Sequence, residues 1–242
     1  MKNVIINADD FGARPLVNKA IVELFDSGLL TSTTLMANMP GFDDAVALAH
    51  KHHITHKIGT HLVLTEGKPL TKEMEPLPYL FHKETNSRDS LVKKLFLLNK
   101  AQKRLIFNEY NAQIEKLKKN GIPVTHLDTH QHMHDMWGVL QIIIELLRVH
   151  QIPYVRILNN LNVTEYYKYT YRNLVNSYLK SKKANYSDYF GSQEDFSLAL
   201  QNNPAIFNKK TVEIMVHPDY NSYGKLIDLL PGEEGGFDFL VH

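Results

Sequence analysis

Short apolar runs of β type alternate along this chain with stretches whose apolar residues recur every three or four positions. Parallel strands need a crossover between them, usually a helix, so the alternation argues for βα units around a parallel sheet. Strands are expected at Val4–Asn7, Ser32–Met36, Lys57–Thr60, Val124–Asp128, Tyr154–Ile157 and Thr211–Val216, with Asp188–Phe190 a weaker seventh. Leu16, Ala20, Ile21, Leu24 and Phe25 share one helical face, and Gly28 supplies a stop. Phe42–His50 and Val139–Val149 have the same character, the second through Leu140, Ile143, Ile144 and Leu147. Asp89–Lys119 reads as one broken or two consecutive amphipathic helices, and Asn159–Asn185 is ambiguous between a helix and a mobile cap. At 242 residues the chain suits one α/β barrel, which typically needs about 250. A single domain over 1–242 is the simplest account.

Three apolar runs end in oxygen and imidazole side chains. They are Val4-Ile5-Ile6-Asn7-Ala8-Asp9-Asp10-Phe11-Gly12, Ile58-Gly59-Thr60-His61-Leu62, and Thr125-His126-Leu127-Asp128-Thr129-His130-Gln131-His132-Met133-His134. Carboxylate with imidazole is a ligand mix that holds a hydrolytic divalent metal while leaving positions open for water. Neighbouring side chains on a strand point to opposite faces, so Asp9 and Asp10 can share a site only if the backbone leaves strand geometry there. Gly12 eases such a departure. The competing reading of an isolated Asp-Asp is a helix cap.

His126, Asp128, His130, His132 and His134 share one parity, so any extended part of their segment lines them along one face, where a cation would organise them. A late apolar run, Ile214-Met215-Val216, delivers His217-Pro218, and His217 could donate a proton to a leaving group. By contrast His50, His52, His53 and His56 follow a helix end and read as surface residues. Thr65–Asn86, rich in proline, follows the strand carrying His61 and is a candidate substrate lid.

Other classes are disfavoured. With no cysteine, thiolate metal sites and a Cys nucleophile are ruled out, and no Gly-x-Ser-x-Gly elbow occurs. Net charge is +1 without a long basic run, so nucleic acid and anionic membranes are poor candidate partners. No run approaches the roughly 20 apolar residues of a membrane span, nor does the N-terminus resemble a signal peptide, so a cytoplasmic location is expected.

Together Asn7-Ala8-Asp9-Asp10-Phe11-Gly12, Thr31-Ser32-Thr33-Thr34, Gly59-Thr60-His61-Leu62-Val63-Leu64-Thr65-Glu66-Gly67, His126 through His134 and Val216-His217-Pro218 closely resemble the YdjC-like carbohydrate deacetylases. The resemblance implies a distorted (β/α) TIM-like barrel of the glycoside hydrolase/deacetylase type with seven to eight strands. It implies removal of N-acetyl groups from amino sugars or short oligosaccharides of the chitooligosaccharide kind. Asp10, His61 and His130 would hold a divalent metal, with Mg2+ favoured and Zn2+ the alternative. Asp9 would be the general base and His217 the general acid. Asp128 would orient a ligand histidine, while His132, His134 and Arg156 would support the ligands or touch substrate. A homodimer is a further expectation. The rival readings are a metal-dependent phosphoesterase or amidohydrolase on a similar barrel, and a non-catalytic sugar-binding protein.

Overall fold

The computed structural model describes residues 3–74, 77, 80–81, 94–161, 166–182, 184–230 and 233–237. Seven strands form one parallel sheet: β1 (Val4–Phe11), β2 (Ser32–Leu35), β3 (Ile58–Leu62), β4 (His126–Thr129), β5 (Tyr154–Val155), β6 (Tyr189–Ser192) and β7 (Val212–Val216). Their spatial order is β5-β4-β3-β2-β1-β7-β6. All seven expected strands are present. The sheet curls into a half-barrel whose edges, β5 and β6, are joined by isolated contacts instead of a ladder. Tyr154 makes a single parallel bridge to Asn185. Nearby, Phe190 N–H donates to Asn160 Oδ1 at 2.9 Å, and Asn160 N–H donates to Phe190 O at 3.1 Å. The distorted barrel expected from the sequence is therefore observed, with a seam between β5 and β6.

The α-helices whose bounds fall among the described residues are α1 (Pro15–Asp26), α2 (Phe42–Lys51), α3 (Lys100–Lys119), α4 (Trp137–His150), α5 (Tyr166–Lys180), α6 (Gln193–Asn202) and α7 (Ile206–Lys209). Pro15 opens α1, where a missing N–H costs nothing. Asn99 and Gln102 form a capping box that starts α3, and Ser192 with Asp195 does the same for α6. Part of the proposed 89–119 helical stretch, residues 89–93, lies outside the described residues, and Asn159–Asn185 contains α5. Along α4, Val139, Leu140, Ile143, Leu146 and Leu147 are buried. Each such side chain contributes about 1.5–3 kcal/mol by leaving water. β3 is buried along its whole length, and Gly59 is the reason it can approach β4 closely. A Cβ at Gly59 would stand 2.6 Å from both the His126 ring and the His126 carbonyl oxygen.

A second, antiparallel sheet of β8 (Pro218–Tyr220), β9 (Leu226–Leu230) and β10 (Glu233–Gly235) was not expected. Its strands are short, and β8 begins with a proline, which cannot donate to a ladder. It lies against α1, where Tyr220 Oη donates to Glu23 at 2.6 Å. Among the described residues no helix is long and apolar enough to cross a membrane.

Candidate active site

Parallel strands deliver their C-terminal ends to one side of the sheet, and register sets which side chains meet there. His61 on β3 pairs with Asp128 on β4, and Ala8 on β1 pairs with Val216 on β7, one residue before His217. At the end of β1 the ladder to β2 slips between Ala8 and Phe11, and Asp10 takes a left-handed conformation with φ of 66°. That costs a non-glycine residue about 1–2 kcal/mol. The kink turns consecutive carboxylates toward one space: Asp9 and Asp10 both line a cavity of about 310 Å³ with Glu66, His130 and His217. Neither aspartate caps α1, whose N-cap is Arg14.

Three atoms converge at the edge of the cavity, where Asp10 and His130 line it and His61 is buried behind them. Asp10 Oδ1 lies 3.3 Å from His61 Nε2 and 3.1 Å from His130 Nδ1, and the two ring nitrogens are 3.3 Å apart. Atoms each about 2.1 Å from one ion, at angles of about 90–109°, are themselves about 3.0–3.4 Å apart. The triangle therefore fits a divalent cation that retains open positions. Asp10 Oδ1 is also buried without a well-formed hydrogen bond, as a ligand oxygen would be. A second cluster, Asp9, His61 and Asp128, is already occupied by a guanidinium: Arg156 Nη1 lies 2.7 Å from Asp9 Oδ2 and 2.6 Å from Asp128 Oδ2.

The surroundings of the triangle are anionic. His61 Nδ1 lies 2.6 Å from Asp128 Oδ1, which leaves Nε2 to face Asp10. Arg156, fully buried beneath the cavity, also reaches Asp9 Oδ1 through Nη2 at 2.7 Å and Glu213 through Nε at 2.6 Å, and it packs over the Phe190 ring. Burial opposes charge on Asp10, yet the His130 and His61 imidazoles hold its carboxyl well below the usual range. Burial likewise opposes charge on His61, but Asp128 and Asp10 hold it well above its ordinary value. Three buried carboxylates, Asp9, Asp128 and Glu213, surround the Arg156 guanidinium, while the partly exposed Asp10 faces the two imidazoles. For Asp9, burial raises the carboxyl, but Arg156, then His61 and His217, outweigh it and hold the group low.

His217 follows β7 and is gripped by the second sheet. Its N–H donates to Asp228 Oδ1 at 2.6 Å, and its carbonyl accepts from Leu229 N–H at 2.8 Å. His217 Nδ1 and Asp228 Oδ2 are both buried without partners.

The shared-parity expectation for the histidine run needs correction beyond Thr129. β4 ends there, and His130–Asp135 is a 3-10 turn with left-handed Gln131 and His132. His126 points to the opposite mouth of the barrel, its Nε2 3.0 Å from Asn7 Oδ1. His134 is buried with Nδ1 2.7 Å from Thr129 Oγ1, and the His132 ring packs edge-on to His134 and Phe190. Neither His132 nor His134 lines the cavity that holds Asp10 and His130. His50, His52, His53 and His56 lie at the end of α2 and just beyond it, where His52 meets Asp26. The sequence reading overlooked Glu66, Glu213 and Asp228. Glu66 lies within the Gly59–Gly67 motif, but a single glutamate in a loop carries no spacing signal.

The sequence profile of the family described as YdjC-like protein matches residues 3–233. Carbohydrate deacetylases from Clostridium beijerinckii and Brevibacillus brevis are 39% and 37% identical to this chain over 150 residues, 62% of it. Those matches span only 58% and 57% of the two relatives' own length. Among solved structures, a proposed cellobiose-phosphate cleavage protein from Enterococcus faecalis V583 superposes with a TM-score of 0.68 at 27% identity. That match covers 91% of this chain and 82% of the other.

Proposed function

The chain belongs to the YdjC-like family, and from that premise we propose that it hydrolyses the N-acetyl group of amino sugars or short oligosaccharides with the help of a divalent metal ion. The observation that carries the reading is the 3.1–3.3 Å triangle of Asp10, His61 and His130 at the edge of a cavity walled by Asp9 and His217. Held by those three side chains, a divalent ion would polarise the acetamide oxygen and make a nearby water more acidic. The donor set of one carboxylate and two imidazoles suits zinc, and magnesium is the choice implied by family resemblance.

The remaining steps belong to the protein. Asp9 stays ionised through its bidentate contact with Arg156 and accepts a proton from the attacking water. As the water oxygen bonds to the carbonyl carbon and the C–N bond breaks, His217 gives a proton to the departing nitrogen, yielding acetate and a free amine. Asp128 fixes the His61 tautomer that presents Nε2 to Asp10. Arg156 holds Asp9 and Asp128 in one frame from below, out of reach of substrate.

Purified protein incubated with diacetylchitobiose, with and without added Mg2+ or Zn2+, tests the reading by acetate release. Asp9→Asn should retain metal binding and lose about 10²-fold or more in turnover; near-native turnover removes Asp9 from the role of base. Parallel tubes with cellobiose phosphate and a phosphomonoester address a second reading, which the described activity of the structural neighbour favours. Glucose or phosphate release without acetate would establish that alternative, and no product in any tube would leave a sugar-binding protein.

A further inference from the structure

Glu66 and the loop that carries it extend the site in a direction that the ligand triangle does not. The Glu66 carboxylate Oε1 forms an ion pair with His130 Nε2, on the side of the ring opposite the Nδ1 that faces Asp10. Asp128 does the same for His61, on Nδ1 instead of Nε2. Each histidine of the triangle thus has one nitrogen toward Asp10 and the other on a carboxylate. Asp128 sits in a strand, but Glu66 sits in a loop, so something must hold that loop.

The clamp comes from α3. Glu109 is fully buried and spends both oxygens on the loop: Leu70 N–H at 3.0 Å on Oε1, Thr71 N–H at 2.8 Å and Thr71 Oγ1 at 2.7 Å on Oε2. One turn on, Gln113 donates to the Glu109 Oε1 at 2.9 Å. It also closes both ends of Val63, accepting from its N–H at 2.9 Å and donating to its carbonyl at 2.8 Å. Between those anchors the backbone carbonyl of Glu66 accepts from Asn38 Nδ2 at 3.0 Å. A buried carboxylate on the apolar face of a helix needs such donors to be tolerated. Here three of the four donors are on the loop that brings Glu66 to His130, and the fourth, Gln113, is itself bonded to that loop at Val63.

We propose that Glu66 is a positioning residue for His130, fixing its ring tautomer and orientation, and that Glu109 and Gln113 of α3 act through the loop to keep Glu66 in place. The inference rests on the reading of Asp10, His61 and His130 as a cation site. A coupling then runs from a helix that supplies no ligand to the strength of cation binding. Partners of ligand histidines typically change affinity by about 10–100-fold when removed.

Calorimetric titration of the intact chain with zinc chloride and with magnesium chloride tests this, with thermal melts checking that each variant is folded. Glu66→Ala should weaken cation binding about 10–100-fold, and Glu66→Gln, which keeps an acceptor oxygen, should fall between it and the parent. Glu109→Gln places an NH2 against loop N–H donors, so it should weaken binding in the parent background and add nothing in Glu66→Ala. Thr71→Val, which deletes one bond and leaves the carboxylate, reads the same coupling should Glu109→Gln unfold. A parent that binds neither ion overturns the cation site itself. A parent that binds, with Glu66→Ala equally tight, overturns the role of Glu66 alone. Additive losses in the double variant overturn the clamp.

Discussion

Asp128→Asn puts the geometry of the triangle under direct strain. Asp128 Oδ1 is 2.6 Å from His61 Nδ1, and Oδ2 is 2.6 Å from Arg156 Nη1 and 3.1 Å from Thr34 Oγ1. Asparagine offers one oxygen and one NH2 for those two places. With the oxygen left on His61, the NH2 meets a guanidinium, donor against donor. With the oxygen turned to Arg156, the NH2 donates to Nδ1 and drives the ring proton to Nε2, the atom that faces Asp10. Either arrangement forfeits a hydrogen bond to a charged group, about 1.5–3 kcal/mol. If the loss falls on the tautomer, it corresponds to about 10–100-fold in cation affinity. Arg156 retains Asp9 and Glu213, so the loss of fold stability should stay below the roughly 3–5 kcal/mol expected when a buried charge is orphaned. Zinc titration alongside thermal unfolding separates the two effects. A folded variant that binds the ion as tightly as the parent refutes the assignment of Asp128 to His61.

Asp10→Gly and Asp10→Ala should both abolish cation binding, but the glycine variant should be the more stable by about 1 kcal/mol, because only the alanine keeps a Cβ at φ of 66°; equal melting temperatures would remove the backbone strain from the account. Gly59→Ala drives a methyl to within 2.6 Å of His126 and should destabilise by about 1–3 kcal/mol, read by urea unfolding; an unchanged midpoint would mean β3 and β4 separate freely. Burial, with Arg156 adding to it against the pull of Asp128, pushes His134 down to about 4 from 6.5. The unfolded chain therefore takes up this proton first, so its contribution is full above pH 6.5 and is lost as pH falls toward about 4, on the order of 3 kcal/mol in all. His134→Asn should flatten the decline in stability between pH 7 and 4.5, and a parallel decline would count against it.

What the sequence made legible followed from periodicity. Val4–Ile6 and Ile214–Val216 announced parallel strands because both runs are continuously apolar, and α1, α2 and α4 announced themselves by one-sided apolar stripes. The demand that the backbone depart from strand geometry at Asp9-Asp10 is met at Asp10 itself, a position the sequence could not single out. The parity argument failed after Thr129, because Gln131 and His132 adopt left-handed conformations that no alternation rule anticipates. Glu109 and Gln113 occupy a helix rich in lysine, where a carboxylate ordinarily faces solvent; their partners are backbone groups in a distant loop, invisible to any pattern. Asp228 escaped notice with its whole sheet, since β8 and β9 lack a clean alternation. Tyr154–Ile157 shortened to two strand residues because, one residue past Ile157, the backbone of Leu158 is taken up by the Asn176 side chain of α5 instead of a neighbouring strand.

The seam between β5 and β6 carries a mechanical consequence. A closed barrel cannot change its girth without breaking a ladder, since every strand is hydrogen-bonded on both sides. Here the circumference is interrupted where one bridge, Tyr154 to Asn185, and the Asn160–Phe190 pair stand in for a ladder. Arg156 and Phe190 lie on the two banks of that gap and touch through their stacked faces. Widening the opening would break those few seam hydrogen bonds and pull Arg156 from Phe190, Glu213 and Asp9 while leaving the six ladders of the sheet intact, so the most sparsely bonded line of the wall runs directly beside its carboxylates.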